Sequence, residues 1–301
     1  MSTRSLTKRQ AATGSDLQVR WLCGLSVSWS GWVVLRPGGR KGEGMTVLPS
    51  LLSALTEGSV EVIDLTAPLQ TSTPILQLPE PFGQTWPFEL AEISRYDDRG
   101  PGWYWNNIRT GEHTGTHFDA PVHWATSRDG EDVAQVSPGR LVGPAAVLDF
   151  SDQASQDPDF LLKIEHITGW QDEHGELPEG GWLLYRTGWD TRSSSQEEFL
   201  NADHTGPHTP GISVECARWL AEEAPILGVG VETVGTDAGA AHSFEPAFPC
   251  HSYLLGAGKY GLTQLRNLVR LPPQGAVLIA APLPIVGGSG SPARVLALVQ
   301  R

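Results

Sequence analysis

Apolar and polar positions fall into short blocks along this chain, and their periods change from block to block. After Met45, the run SLLSALTEG spaces its leucines as a helix does, with Gly58 as its stop. VEVIDLT (60–66) alternates and is rich in β-branched residues, which predicts a half-buried strand. GPAAVLDF (143–150) and GGWLLYRTGW (180–189) are near-continuous apolar runs bounded by Gly and Pro, the pattern of buried strands. Between them, FLLKIEHITGWQDEHG reads as a helix and turn, with His166 and His174 at surface or capping positions. Ser213 is placed to cap a helix over VECARWLAEE, with Glu215 in its first turn. LGVGVE (227–232) has the unbroken apolar character of a central parallel strand. Strand-like AVLIAAPLPIV (276–286) and ARVLALVQ close the chain around GGSGSP. The alternation predicts one α/β or α+β domain over residues 45–301.

Residues 1–44 do not share this character. They hold seven Lys and Arg against two acids, a local charge of +5, whereas the whole chain carries −13 and the remainder therefore about −18. The apolar run 21–35 is diluted by Ser, Gly and Trp, and no small-residue cleavage site follows it. Lys41-Gly42-Glu43-Gly44 is the peptide that a translated ribosome-binding sequence would give, so Met45 is expected to be the true start and 1–44 a disordered or mis-assigned extension.

An acidic chain with pI near 5.1 excludes nucleic acid and anionic membrane as natural partners. Three cysteines (Cys23, Cys216, Cys250) without paired spacing indicate neither a disulfide framework nor a thiolate metal cluster. No apolar run reaches the roughly 18 residues of a membrane span. A cytoplasmic globular protein acting on a small molecule is expected.

The chemistry concentrates in EHTGTHFDAPVHW, residues 112–124, which places His113, His117, Asp119 and His123 within eleven positions. Imidazole and carboxylate together suit a first-row divalent ion such as Zn²⁺ or Mn²⁺. A fully extended run would hold His113 and His117 roughly 13 Å apart, too far for one ion. The chain must turn between them, and Gly115 permits that turn. Pro121 makes a helix continuing through Asp119 and Ala120 unfavourable. His123 shares the parity of Asp119 but lies further along, so it can face the ion without binding it.

HTGTHFDAPVH resembles the H-x-G-T-H-x-D-x-P-x-H signature of the cyclase family of metal-dependent hydrolases, which includes bacterial kynurenine formamidases, isatin hydrolases and a class of dienelactone hydrolases. TPGISVECARWLAE, GVGVETVGTD, CHSYLLGAGKY and PLPIVGGSGSPARVLAL resemble family segments in family order, so the likeness runs from about Val60 to the C-terminus. The resemblance implies the swivelling β/β/α fold of that family and assembly as a homodimer or homotetramer. It also implies hydrolysis of a small cyclic or linear amide or a lactone, with a cyclase or lyase reaction as the rival. His251 opens a segment similar to the one that closes the family site, where kynurenine formamidases carry a Glu twelve residues on. Here that position is Thr263, followed by Gln264. Threonine cannot replace an anionic ligand, so one divalent ion, Mn²⁺ or Zn²⁺, is expected. Its ligands would be His113, His117 and Asp119, with the amide oxygen of Gln264 as a further candidate. His123 is the expected general base and acid, and His251 the group that stabilises the intermediate or fixes the substrate.

Five further segments carry weaker signals. The Pro- and aromatic-rich stretch 68–104 reads equally as a packed irregular loop or as the wall of a flat apolar pocket. Asp237, just beyond Glu232 and Thr233 at a strand end, is either functional or a loop-orienting residue. Ser193–Asn201 reads as exposed, and the loop carrying His204 and His208 as either solvated or part of the site. Gly287-Gly288-Ser289-Gly290 lacks the following Lys-Ser/Thr of a phosphate loop. No G-x-S-x-G elbow is present, which argues against a serine hydrolase.

Overall fold

The structure, a computed structural model, describes residues 46–301. The expectation for residues 1–44 lies outside the described residues. Helix α1, Val47–Glu57, ends at Gly58, whose φ of 77° is the left-handed conformation of a helix stop. Its apolar residues Val47, Leu48 and Leu52 are exposed, so the helical period is present without a buried face.

Ten strands define the architecture among the described residues. They are β1 (Val60–Asp64), β2 (Glu89–Asp97), β3 (Gly100–Arg109), β4 (His117–Asp119) and β5 (Val142–Asp149), then β6 (Trp182–Arg186), β7 (Gly228–Val231), β8 (Tyr260–Thr263), β9 (Ala276–Pro282) and β10 (Gly290–Gln300). Eight of them form one sheet in the order β1-β10-β9-β5-β6-β7-β8-β4. β10 also pairs with β4, which closes the sheet into a barrel-like ring. The centre, β5-β6-β7-β8, is parallel, and β4, β9 and β10 pair antiparallel.

Alternation explains the continuous apolar runs. Trp182 and Leu184 of β6 pack inside the ring with Phe118, Tyr260 and Leu262, while Leu183 and Tyr185 face outward. The outer face is covered by α2 (Ile164–His174) and α3 (Val214–Glu222), through residues such as Ile167, Trp170 and Leu220. With both faces buried, no polar position interrupts the strand. Gly228 and Gly230 make room for this packing: a Cβ at Gly228 would stand 2.5 Å from the Tyr260 carbonyl oxygen and 2.7 Å from the Trp182 ring. Ser213 caps α3 as expected, its Oγ accepting from Cys216 N at 3.2 Å. His166 completes a capping interaction on α2, where Lys163 N donates to its Nδ1 at 3.1 Å.

Two regions differ from the sequence expectation. The stretch 68–104 is irregular only to about residue 88; beyond that, β2 and β3 form a hairpin that, among the described residues, pairs with no other strand. Trp103, Tyr104 and Trp105 therefore lie exposed on a ribbon, not in a pocket wall. Register shifts between Glu92 and Ser94 and between Arg95 and Asp97 break the alternation that would have revealed these strands. In the second region, Ser193–Asn201 is not wholly exposed. It contains a short helix, Gln196–Leu200, whose Phe199 is fully buried and whose Gln196 amide is tied to the backbone of Ile75.

Candidate metal centre and active site

The motif folds as a turn, a three-residue strand and a 3₁₀ turn. Gly115 adopts φ 68°, and a Cβ there would stand 2.5 Å from Leu69, so the turn between the first two histidines needs glycine. The flanking threonines are buried anchors. Thr114 Oγ1 donates to the Trp86 carbonyl at 3.1 Å. Thr116 Oγ1 donates to the Gln264 carbonyl at 2.7 Å and accepts from Ala67 N at 2.8 Å. β4 then runs between β8 and β10, so its backbone is held on both edges. Pro121 opens the 3₁₀ turn Pro121–His123, which brings His123 back over the turn.

This path gathers His113, His117 and Asp119 so that one ligand atom from each lies within 4.8 Å of the others. Asp119 Oδ1 stands 2.8 Å from His113 Nδ1 and 3.4 Å from His117 Nε2. The carboxylate is 2% exposed. Burial opposes its charge, but the His117 and His113 imidazoles outweigh that and hold its pKa well below the ordinary carboxylate range. A buried anion facing two ring nitrogens is the nitrogen and oxygen donor set that zinc or manganese accepts, so these residues fit a divalent ion. His117 Nδ1 lies 2.7 Å from the Gly115 carbonyl, which can only accept, so Nδ1 carries the hydrogen and Nε2 is the lone-pair nitrogen. Gly261 clears space beside the carboxylate: a Cβ there would come within 2.6 Å of Asp119 Oδ2.

His123 does not join that group. Its ring stacks on His113, with centroids 3.9 Å apart, and faces His251 at 5.5 Å. The two rings are tuned in opposite directions. Burial drives the His123 pKa down to about 3, against the pull of Asp119 and with added repulsion from His113 and His251. Burial also works against a charged His251, but its hydrogen bond to Asp237 and the Asp237 charge prevail and raise its pKa. His251 Nδ1 lies 2.5 Å from Asp237 Oδ2, and the Asp237 carboxylate also accepts from Cys250 N and His251 N. Asp237 thus orients His251.

His113, His117, Asp119, His123 and His251 line one cavity of about 350 Å³. Its other walls come from Leu76, Leu78, Gln84 and Thr85 of the irregular segment and from Val234 and Gly235 after β7. The wall contributed by the proline-rich stretch is aliphatic and polar; Phe82 and Trp86 are exposed, and Trp86 carries the Arg109 guanidinium over its ring at 3.8 Å. Thr263 is buried, with Oγ1 2.8 Å from His117 Nδ1. The adjacent Gln264 lies just past the end of β8, in a left-handed bend with φ 53°. Its Nε2 donates to the Pro74 carbonyl at 3.4 Å, and it lines a separate cavity with Arg266 and Ser193. Gln264 is therefore not brought to the group of three. His204 is exposed, and His208 bonds to Asp159 on the surface. Burial pushes the Cys216 thiol up to about 12 and raises Cys250 further from reactivity, so neither offers a thiolate.

Residues 63–238 match the profile of the Cyclase family. The chain belongs to the cyclase family. It is 46% identical to the isatin hydrolase of Roseibium aggregatum over 259 residues, 85% of this chain and 98% of that protein. It is 32% identical to the kynurenine formamidase of Salinibacter ruber over 63% of this chain and 77% of that one. Isatin hydrolase A from Ralstonia solanacearum superposes with a TM-score of 0.83 at 48% identity, covering 87% of this chain and 100% of that one. An isatin hydrolase crystallised with the product analogue thioisatinate gives 0.84 at 45% identity, over 86% of this chain and 100% of that one. The mixed α/β fold of this cyclase-family chain, with its barrel-like closure through β4, is thus shared with the isatin hydrolases. Sequence reasoning missed Glu112 and Ser289 beside the site; Ser289 lies 176 positions from His113, beyond any local spacing.

Proposed function

We propose that the chain is a metal-dependent hydrolase that opens a small cyclic amide of the isatin type, with residues 45–301 as its hydrolase domain. The observation that carries this reading is the His113–His117–Asp119 group at the wall of a cavity, with a neutral imidazole, His123, stacked against it. A single divalent ion, Mn²⁺ or Zn²⁺, held by these three residues would polarise the amide carbonyl and acidify a water, lowering its pKa towards about 7 in the zinc case. Thr263 beside His117, in place of a carboxylate, supports one ion per chain.

The protein's own groups would do the rest. His123, neutral at physiological pH, takes the proton of the attacking water as the new carbon–oxygen bond forms. The C–N bond then breaks, and the same proton is delivered to the departing nitrogen. His251, oriented by Asp237, whose carboxylate raises its pKa against the effect of burial, would donate to the carbonyl oxygen as negative charge develops there. The opened product carries both the free amine and the new carboxyl group, which releases the second proton of the water to solvent as it ionises. Leu76, Leu78 and Val234 offer apolar contact to a flat ring. The similarity to isatin hydrolases over nearly their whole length favours the cyclic amide over a formamide or a lactone. We further propose that the enzyme works in the cytoplasm as a homodimer or homotetramer, on a small molecule and without nucleic acid or membrane. Among the described residues, no helix is long and apolar enough to cross a membrane.

The test is turnover of isatin, N-formylkynurenine and a dienelactone by protein loaded with Mn²⁺ or with Zn²⁺. Isatin ring opening should dominate kcat/KM. Preference for the formamide or the lactone would reassign the substrate, and turnover of none would overturn the reading.

A further inference from the structure

The glycine-rich loop Gly287–Gly290 packs against the candidate metal centre. Its backbone is fixed from three sides. Gly287 N donates to Asp132 Oδ2 at 2.8 Å, the Gly288 carbonyl accepts from Val133 N at 3.0 Å, and the Ser289 carbonyl accepts from Ala120 N at 2.9 Å. Its one side chain bearing a polar group, Ser289, points at the motif. Ser289 Oγ donates to Glu112 Oε2 at 2.6 Å and lies 2.9 Å from His113 Nε2. Ser289 N donates to the same Glu112 oxygen at 3.1 Å.

We propose that this loop is the positioning device of His113: Glu112 fixes the Ser289 hydroxyl, and Ser289 Oγ accepts a hydrogen bond from the Nε2–H of His113, so that only Nδ1 is presented to the ion. A hydroxyl has one proton, and a carboxylate only accepts. With that proton on Glu112, Ser289 Oγ can only accept from the ring, and Nε2 must carry the hydrogen. The lone pair is then on Nδ1, the nitrogen that stands 2.8 Å from Asp119 Oδ1 within the group of three. Ligating histidines need such an outer partner to fix tautomer and ring orientation. The glycines have a steric reason to flank the serine. A Cβ at Gly290 would stand 2.6 Å from His113 Cε1 and 2.5 Å from the Phe118 carbonyl oxygen. A Cβ at Gly288 would crowd Glu112 Oε1 at 3.0 Å. Glu112 and Ser289 are positioning residues, not catalytic ones, and the assignment rests on the reading of His113 as a ligand.

The experiment measures binding of Mn²⁺ alone by electron paramagnetic resonance in wild type, Ser289→Ala, Ser289→Thr and His113→Ala. Thermal unfolding of the metal-free proteins is recorded in parallel. Ser289→Ala should weaken Mn²⁺ binding by about 10–100-fold, the usual effect of losing an outer partner, with an unchanged unfolding transition. Ser289→Thr, which keeps the hydroxyl, should stay near wild type. Independently of any variant, ¹⁵N-histidine NMR of the Zn²⁺-loaded wild type should find the His113 proton on Nε2. Wild-type Mn²⁺ affinity in Ser289→Ala, or a proton on Nδ1, overturns the positioning role. Undiminished binding in His113→Ala would instead refute the ligand reading itself. If Ser289→Ala does not fold, the tautomer decides.

Discussion

β4 and the β2–β3 hairpin are both antiparallel elements near the site, yet they are built in opposite ways. β4 is three residues long, pairs on both edges and is wholly buried. The hairpin strands are nine and ten residues long, pair among the described residues only with each other and leave Leu90, Tyr96, Trp103, Trp105 and Ile108 exposed. The short element holds two of the three candidate ligands. Positional precision comes from being clamped between β8 and β10 with Phe118 in the core, not from strand length. A two-stranded ribbon without further cover has no such constraint.

The largest effect expected from this contrast is at His117. His117→Ala removes a buried ligand from β4 and should abolish both metal retention and turnover; metal analysis of the purified protein checks it. If the variant keeps its ion, the clamp is not what holds the centre. Next in size is Phe118→Ala, which should cost about 3–5 kcal/mol in denaturant unfolding, because the fully buried ring packs on Tyr260 and Trp182. Trp105→Ala on the ribbon, an exposed site, should stay within about 0.5 kcal/mol in the same assay. Equal costs at the two positions would erase the distinction.

A further expectation concerns Glu232, at the end of β7. It is 1% exposed, and burial, helped by the Asp190 charge, pushes its pKa up to about 7 despite donors from Thr187 N and Trp189 N. The folded protein therefore holds this proton more tightly than the unfolded chain, whose carboxyl titrates near the ordinary 4.5. Stability from this group is present at low pH, falls as pH rises through the window from 4.5 to about 7, and is flat above it. Glu232→Gln should flatten that slope in melting temperatures recorded from pH 5 to 8. An identical slope in the variant would assign the pH dependence elsewhere.

These residues also mark what the sequence made legible. β6 and β7 were readable because burial on both faces leaves no polar residue to interrupt the run. The cluster of His113, His117, Asp119 and His123 is readable because it is local: its ligand-type residues, the glycine turn and the proline all fall within eleven positions. The hairpin was not, since two register shifts scramble its period and its aromatics suggested a pocket wall. Gln264 follows Thr263 in sequence and so reads as a ligand candidate, but the chain bends there with φ 53° and Gln264 lines another cavity, a turn that no residue type announces. Asp237 acts on His251 from fourteen positions away, and Ser289 on His113 from 176; contacts of that span depend on sheet topology and carry no local signal.

The central claim is that ligation and proton transfer are divided between neighbouring imidazoles, and His123→Ala tests it most directly. Bound metal per chain and kcat are measured on the same purified sample. Because His123 stacks on His113 without joining the group of three, metal content should match wild type while kcat falls by about 10²–10⁴-fold. A metal-free variant would make His123 a ligand and leave His251 as the base; full activity with metal bound would contradict the account outright.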